Sequence, residues 1–208
     1  MFLIGQYDSP FVRRVGIALR LYGMPFEHRP WSTFGDAARI APFNPLLRVP
    51  TLVLDDGEVV IDSAAILDWL DERAGPDRAL IPRAGDARRR TMRIVALGTG
   101  LADKAVSLFY ERALHGQASD VWVARCRSQI GGVLDVLERE RSAIATPYWF
   151  GPAIGHADIT MACALRFLFE AHAGVLSPDD RPALREFARL CEARREFQEI
   201  SQAFQPPA

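Results

Sequence analysis

The sequence predicts an α/β domain joined to an all-helical one. Three observations predict it. The first third runs strand, helix, strand, loop, hairpin, helix. A stretch at 74–86 carrying Gly75, Pro76, Pro82 and Gly85 then reads as a linker, and beyond it only helical periodicity survives.

Residues 2–7 form a short run rich in strand formers that ends at Asp8-Ser9-Pro10, a turn and helix-start cluster. Val12, Val15, Leu19 and Tyr22 then fall three or four residues apart, the stripe of an amphipathic helix, which Gly23 and Pro25 end. Phe26, His28 and Trp31 suggest a second strand, and 35–41 a short irregular helix before Pro42. Residues 51–54 and 58–61 flank Asp56-Gly57, a dipeptide suited to the positive φ angles of a tight hairpin. Asp62-Ser63 supplies an N-cap, and Ile66, Leu67 and Leu70 trace a covering helix that stops at Gly75-Pro76. A strand–helix–strand unit followed by a hairpin implies a mixed four-stranded sheet. Helices are expected at 87–115, 119–142, 156–173 and 182–195. The third, around Ile159-Thr160-Met161-Ala162-Cys163-Ala164-Leu165, is apolar all round, as a central buried helix should be.

Composition narrows the function classes. Of the 208 residues, 49% are apolar and 25% charged, which argues against disorder. Lys plus Arg number 25 against 26 Asp plus Glu, a formal net of −1, so no broad field draws nucleic acid or an anionic membrane. No apolar run approaches the roughly 20 residues of a membrane span. The N-terminus lacks a basic segment before its apolar run, and Asp8 follows at once, unlike a secretion signal. Three cysteines without close spacing suit a reducing cytoplasm better than a disulfide framework.

Three short pieces of the first domain carry the chemistry: Ser9-Pro10-Phe11-Val12, Val49-Pro50 and Asp62-Ser63. Taken singly each reads blandly, Ser9 and Asp62-Ser63 as helix caps and Pro50 as an ordinary trans turn residue. Together they resemble the thioredoxin-like fold, and within it the glutathione transferase family. The resemblance spans essentially the whole chain. Its most specific stretches are Ser9-Pro10-Phe11-Val12-Arg13-Arg14-Val15, Asn44-Pro45-Leu46-Leu47-Arg48-Val49-Pro50-Thr51-Leu52 and Asp62-Ser63-Ala64-Ala65-Ile66, which look like serine-type members near the plant tau class and its bacterial relatives. It implies a glutathione-binding domain over 1–76, a linker over 77–86 and a helical domain over 87–208 that lines the electrophile site.

The resemblance also implies roles. Asp62 and Ser63 would hold the γ-glutamyl end of glutathione. Ser63 sits where a helix start favours an anion, while Asp62 can pair only with the α-amine. Val49, before a cis Pro50, would exchange backbone hydrogen bonds with the cysteinyl part, as an added strand does. Arg48 would either meet the glycyl end or stand as a solvated arginine. Ser9 would donate a hydrogen bond that stabilises the thiolate. Some classes use a tyrosine for this, but Tyr7, at the end of a strand, is expected to pack in or beside the sheet. With Ser9 and Val12 where related redox proteins carry cysteines, a dithiol mechanism is impossible.

Other candidates carry less. His28, His115, His156 and His172 share no metal-ligand spacing with each other or with Cys126, Cys163 and Cys191, so no metal is expected. The cysteines lie on apolar stripes and read as small hydrophobes. Arg88-Arg89-Arg90 with Arg93 reads as a solvated helix face or a subunit contact. Early in the central buried helix the family carries a Ser or Thr three residues before an Asp. Here Gly155 precedes Asp158, so that helix should form with one capping hydrogen bond fewer.

The expected protein is thus a glutathione transferase, with glutathione as co-substrate and a small hydrophobic electrophile held against the helical domain. Phe11, Leu101, Lys104 and Leu108 would line that second pocket, or else serve as ordinary interdomain packing. The family is usually homodimeric. The first domain would read the same in a non-catalytic binding module or in a glutathione-dependent isomerase, dehalogenase or peroxidase.

Overall fold

Residues 1–173 and 180–206 are described in a computed structural model of the chain; 174–179 and 207–208, which fall within the expected helical domain, lie outside the described residues. Strand β1 covers Phe2–Ile4, helix α1 Pro10–Tyr22, β2 Glu27–Arg29, α2 Ala37–Ile40, β3 Thr51–Val53, β4 Val59–Ile61 and α3 Ser63–Ala74. The sheet order is β2-β1-β3-β4, with β1 parallel to β2 and antiparallel to β3, and β3 antiparallel to β4. Parallel β1 and β2 need a crossover, and α1 supplies it.

β1 is shorter than the expected 2–7 because Gly5 leaves the strand at φ +127°. A Cβ there would lie 2.5 Å from Val12 Cγ2 and 2.8 Å from Val49 Cβ, so only glycine lets β1, α1 and the loop before β3 converge. The hairpin also differs in detail. Leu54 accepts from Gly57 N–H at 3.1 Å and Gly57 alone takes positive φ, whereas a type I′ two-residue loop would have needed it at Asp56 as well.

Beyond residue 84 lie α4 (Gly85–Leu114), α5 (Asp120–Ser142), α6 (His156–Ala171), α7 (Pro182–Glu192) and a short α8 (Arg195–Glu199) that the periodicity did not separate from α7. α6 is the buried centre, against α4, α1 and α7, and all but four of its residues are buried. α1 is buried on nearly every side rather than along one stripe, because α3 and the sheet cover one flank and α6 and α8 the other. That burial encloses two arginines. Arg13 forks onto Glu192 at 2.6 and 2.8 Å and donates to the carbonyls of Ile200 and Phe197, which fastens the C-terminal elements to the first domain.

Gly155 caps α6 with no side chain to contribute; only the reciprocal half of the expected box forms, Asp158 Oδ2 accepting from Gly155 N–H at 2.9 Å. Asp158 spends its other oxygen on Trp149 N–H at 2.8 Å. The glycine has its own reason: a Cβ would come within 2.8 Å of the Leu80 carbonyl, to which His156 N–H donates at 2.9 Å.

Candidate glutathione site and electrophile cleft

Two joined clefts open between the loops and helix starts of the first domain and α4, sharing Phe11, Arg48, Val49 and Asp103. The smaller, about 320 Å³, includes Arg14, Pro50, Asp62 and Ser63 in its lining; the larger, about 840 Å³, includes Ser9.

Ser9 is the N-cap of α1, its Oγ accepting from Val12 N–H at 3.4 Å. A hydroxyl that accepts there keeps its proton for a ligand, and the helix start adds positive potential. Tyr7 points elsewhere. Its ring stacks on His28 at 3.7 Å, and burial pushes its hydroxyl pKa up to about 12. His28 is itself held by the Gly5 carbonyl at 2.8 Å, so this pair is packing.

The Val49–Pro50 peptide is cis, and Val49 lines both clefts. The loop before it is shaped by Asn44, which is buried. Its Nδ2 donates to the Arg48 carbonyl at 2.8 Å and to Thr51 Oγ1 at 3.0 Å, while its Oδ1 accepts from Leu46 N–H at 3.0 Å. Arg48 is exposed at the rim shared by the clefts.

Asp62 caps α3, its carboxylate accepting from Ala64 N–H at 2.7 Å, and it does so at φ +71°, a conformation that side chains other than glycine take at a cost. Ser63, the first helical residue, is buried, and its Oγ accepts from Arg14 Nη2 at 2.8 Å. Arg14 also reaches Thr160 on α6 at 3.2 Å, and its Nε has no partner among the described residues. Burial lowers its pKa to about 10, against the opposing pull of Asp62, Cys163 and Asp103, so it stays cationic at neutral pH. The motif reading quoted Arg14 without giving it a role. Two adjacent arginines in the middle of the apolar stretch 11–19 were the available signal.

The larger cleft is walled by Phe11 and Trp31 from the first domain, by Val106, Phe109 and Tyr110 of α4, and by Phe204 beyond α8. Of the four second-pocket candidates, Phe11 lines both clefts. Leu101 and Leu108 are fully buried core residues that line neither, and Lys104 lies over the Trp122 ring at 5.5 Å. α4 is apolar on more than one face; Leu101 and Leu108 belong to the face in the core, and the cleft meets the face carrying Asp103, Val106, Ser107 and Tyr110.

Asp103, on that face, has its pKa raised by burial, with Arg48 and Lys104 pulling it down. The cysteines are buried, and among the described residues no three His, Cys, Asp or Glu side chains gather as metal ligands would. Arg88 and Arg93 pair with Asp68 and Glu140, and Arg89 with Asp86.

Residues 3–78 match the family profile of the glutathione S-transferase N-terminal domain, and residues 120–189 that of the C-terminal domain. The GST-like protein YibF of Escherichia coli, itself uncharacterized, is 31% identical over 95% of this chain and 96% of its own. The chain belongs to the glutathione S-transferase family. Its mixed sheet, with the cis-proline just ahead of β3, and the helices that follow are the thioredoxin-like and all-helical halves of a glutathione S-transferase. A maleylacetoacetate isomerase of Pseudomonas aeruginosa is 28% identical over 99% of this chain and 98% of its own. A glutathione transferase family member from Pseudomonas fluorescens Pf-5, solved with bound glutathione, superposes with a TM-score of 0.84 at 31% identity, covering 100% of this chain and 99% of that one.

Proposed function

We propose that the protein is a serine-type glutathione transferase that activates the thiol of glutathione at Ser9 and presents it to an electrophile in the larger cleft. The carrying observation is that Ser9 Oγ caps α1 inside the cleft that joins the Arg14–Ser63 pocket through Val49. The glutathione bound by the Pseudomonas fluorescens relative supports the same ligand here. The γ-glutamyl carboxylate enters the smaller cleft. Arg14 already fills an acceptor position on Ser63 Oγ, so the Ser63 proton is free to point at that carboxylate. The cysteinyl backbone pairs with Val49, and the glycyl carboxylate lies toward Arg48.

A cysteine thiol with a pKa near 8.5 is only a few per cent thiolate at pH 7. Lowering it by about two units takes roughly 2.7 kcal/mol of preference for the anion, the size of a charge-assisted hydrogen bond aided by a helix start. The thiol proton leaves to solvent. The thiolate then attacks the electrophilic carbon, and the leaving group departs with its electron pair.

The protein as expressed, titrated with glutathione at neutral pH, should bind it and develop thiolate ultraviolet absorbance. Binding without absorbance would favour a non-catalytic module. Isomerisation is the second reading, supported by the isomerase relative; a substrate panel separates it from conjugation. Leu46, 63% exposed, and Met92 suit burial in a homodimer, and three buried free thiols suit a reducing compartment such as the cytoplasm. Light scattering reads the oligomeric state.

A further inference from the structure

Seven aromatic rings line the larger cleft, among them Phe11, Trp31, Phe109, Tyr110, Phe167 and Phe204. Phe204 meets Phe109 and Phe167 edge to face at 5.0 and 5.5 Å, so the tail beyond α8 completes this wall. The charges there are uneven. Arg48 is the only cation among the cleft's described lining residues, against the carboxylates of Asp8 and Asp103. Asp8 directly precedes Ser9, and Glu170 of α6 behind it is paired with Arg166 at 2.8 Å. The Asp8 carboxylate accepts from Gln205 N–H at 3.1 Å, which fixes it in the wall rather than leaving it to swing into solvent.

We propose that this cleft selects aromatic electrophiles bearing no negative charge, and that Asp8 is the residue that turns anionic ones away. The proposal rests on the tripeptide reading above. Once glutathione is bound, its glycyl carboxylate neutralises Arg48, the one cation among the cleft's described lining residues. The incoming molecule then meets a thiolate, Asp8 and Asp103, with Lys104 outside that lining and over the Trp122 ring. A carboxylate on the electrophile then pays repulsion in a partly buried site, where a unit charge several ångströms away changes a rate constant by about tenfold or more. Asp8 acts on both substrate binding and the transition state, since the charge it repels is not the one being transferred.

The test compares chlorodinitrobenzene with its carboxylate analogue chlorodinitrobenzoate, each rate divided by that of its uncatalysed reaction with glutathione. The expected result is a preference of about tenfold or more in kcat/KM for the neutral compound, shrinking as salt is added. Asp8→Asn keeps an oxygen to accept from Gln205 and should narrow the preference several-fold. Equal or better use of the benzoate by the native protein overturns the proposal, as does a folded Asp8→Asn variant with an unchanged ratio. Should neither compound react, calorimetry on the protein loaded with S-methylglutathione decides. Nitrobenzamide is expected to bind at least several-fold tighter than nitrobenzoate, and equal affinities overturn the proposal. A protein that does not bind S-methylglutathione at all sinks the tripeptide reading first, and this one with it.

Discussion

His156 Nε2 lies 2.9 Å from Asp71 Oδ2, and through that contact the first turn of α6 is tied to the last turn of α3. The other oxygen of Asp71 accepts from the Tyr22 hydroxyl and from Leu80 N–H. One carboxylate thus joins α1, α3, the linker and the helical domain. Burial alone would raise its pKa, but the His156 and Tyr22 hydrogen bonds outweigh that and hold it below the usual range.

Asp71→Asn should therefore cost about 2–3 kcal/mol in urea unfolding, because it leaves buried partners of a charged group unmatched. The sign with pH follows from the lowered value. The stabilisation is fully present above the unfolded carboxyl pKa of about 3.9 and is lost as pH falls through the lower folded value. The native protein should lose stability below about pH 4 more steeply than the variant does. Parallel acid limbs would refute the coupling.

Gly155→Ser separates two rules. Capping preference alone predicts a gain of a few tenths of a kcal/mol. The 2.8 Å approach of a Cβ to the Leu80 carbonyl predicts a loss instead, since that oxygen is held by His156 N–H and cannot retreat without breaking the bond. A loss of roughly 1–3 kcal/mol is expected in thermal denaturation. A rise in Tm would show that the linker yields.

Legibility in the chain followed sequence distance. The mixed four-stranded sheet and the starts of α1 and α3 could be read because strand runs, the Asp56-Gly57 turn and the Ser9 and Asp62 caps are local signals. Contacts made across the fold could not. Gly5 owes its identity to Val12 and Val49, and Arg14 meets Ser63 and Thr160, which are 49 and 146 residues away. α4 shows the limit most plainly. Leu101, Leu108, Val106 and Phe109 are all apolar, and periodicity does not say which stripe faces a cleft and which a neighbouring helix.

Gly5→Ala combines two penalties, a φ of +127° and a Cβ driven against Val12 and Val49. Together they should destabilise the fold by roughly 3–5 kcal/mol and weaken glutathione binding, because the Val49 loop is displaced. Chemical denaturation and calorimetry read the two effects. Affinity that survives the loss of stability would separate the loop from the site.

Ser9→Ala removes the proposed donor while leaving the tripeptide cleft lined by Arg14, Asp62 and Ser63. Glutathione affinity should stay within several-fold, thiolate absorbance at pH 7 should disappear, and kcat/KM should fall about a hundredfold, in line with losing one charge-assisted donor. Tyr7→Phe should leave the thiolate signal intact, because the tyrosine ring is spent on His28. The reverse pattern would move the activating role to Tyr7.

Arg14 touches Ser63, and the proposal above has Ser63 touch the ligand; it is therefore a positioning residue whose effect should vanish when Ser63 is gone. Lysine at this position keeps the charge but cannot span Ser63 and Thr160 at once, so Arg14→Lys should weaken glutathione binding about tenfold, with kcat at saturation changed much less. Ser63→Ala should cost a similar factor. Since both act through one hydroxyl, the Arg14→Lys, Ser63→Ala double variant should lose little more than the worse single one. Fully additive losses in calorimetry would mean that Arg14 serves the fold alone and that the γ-glutamyl carboxylate is held without it.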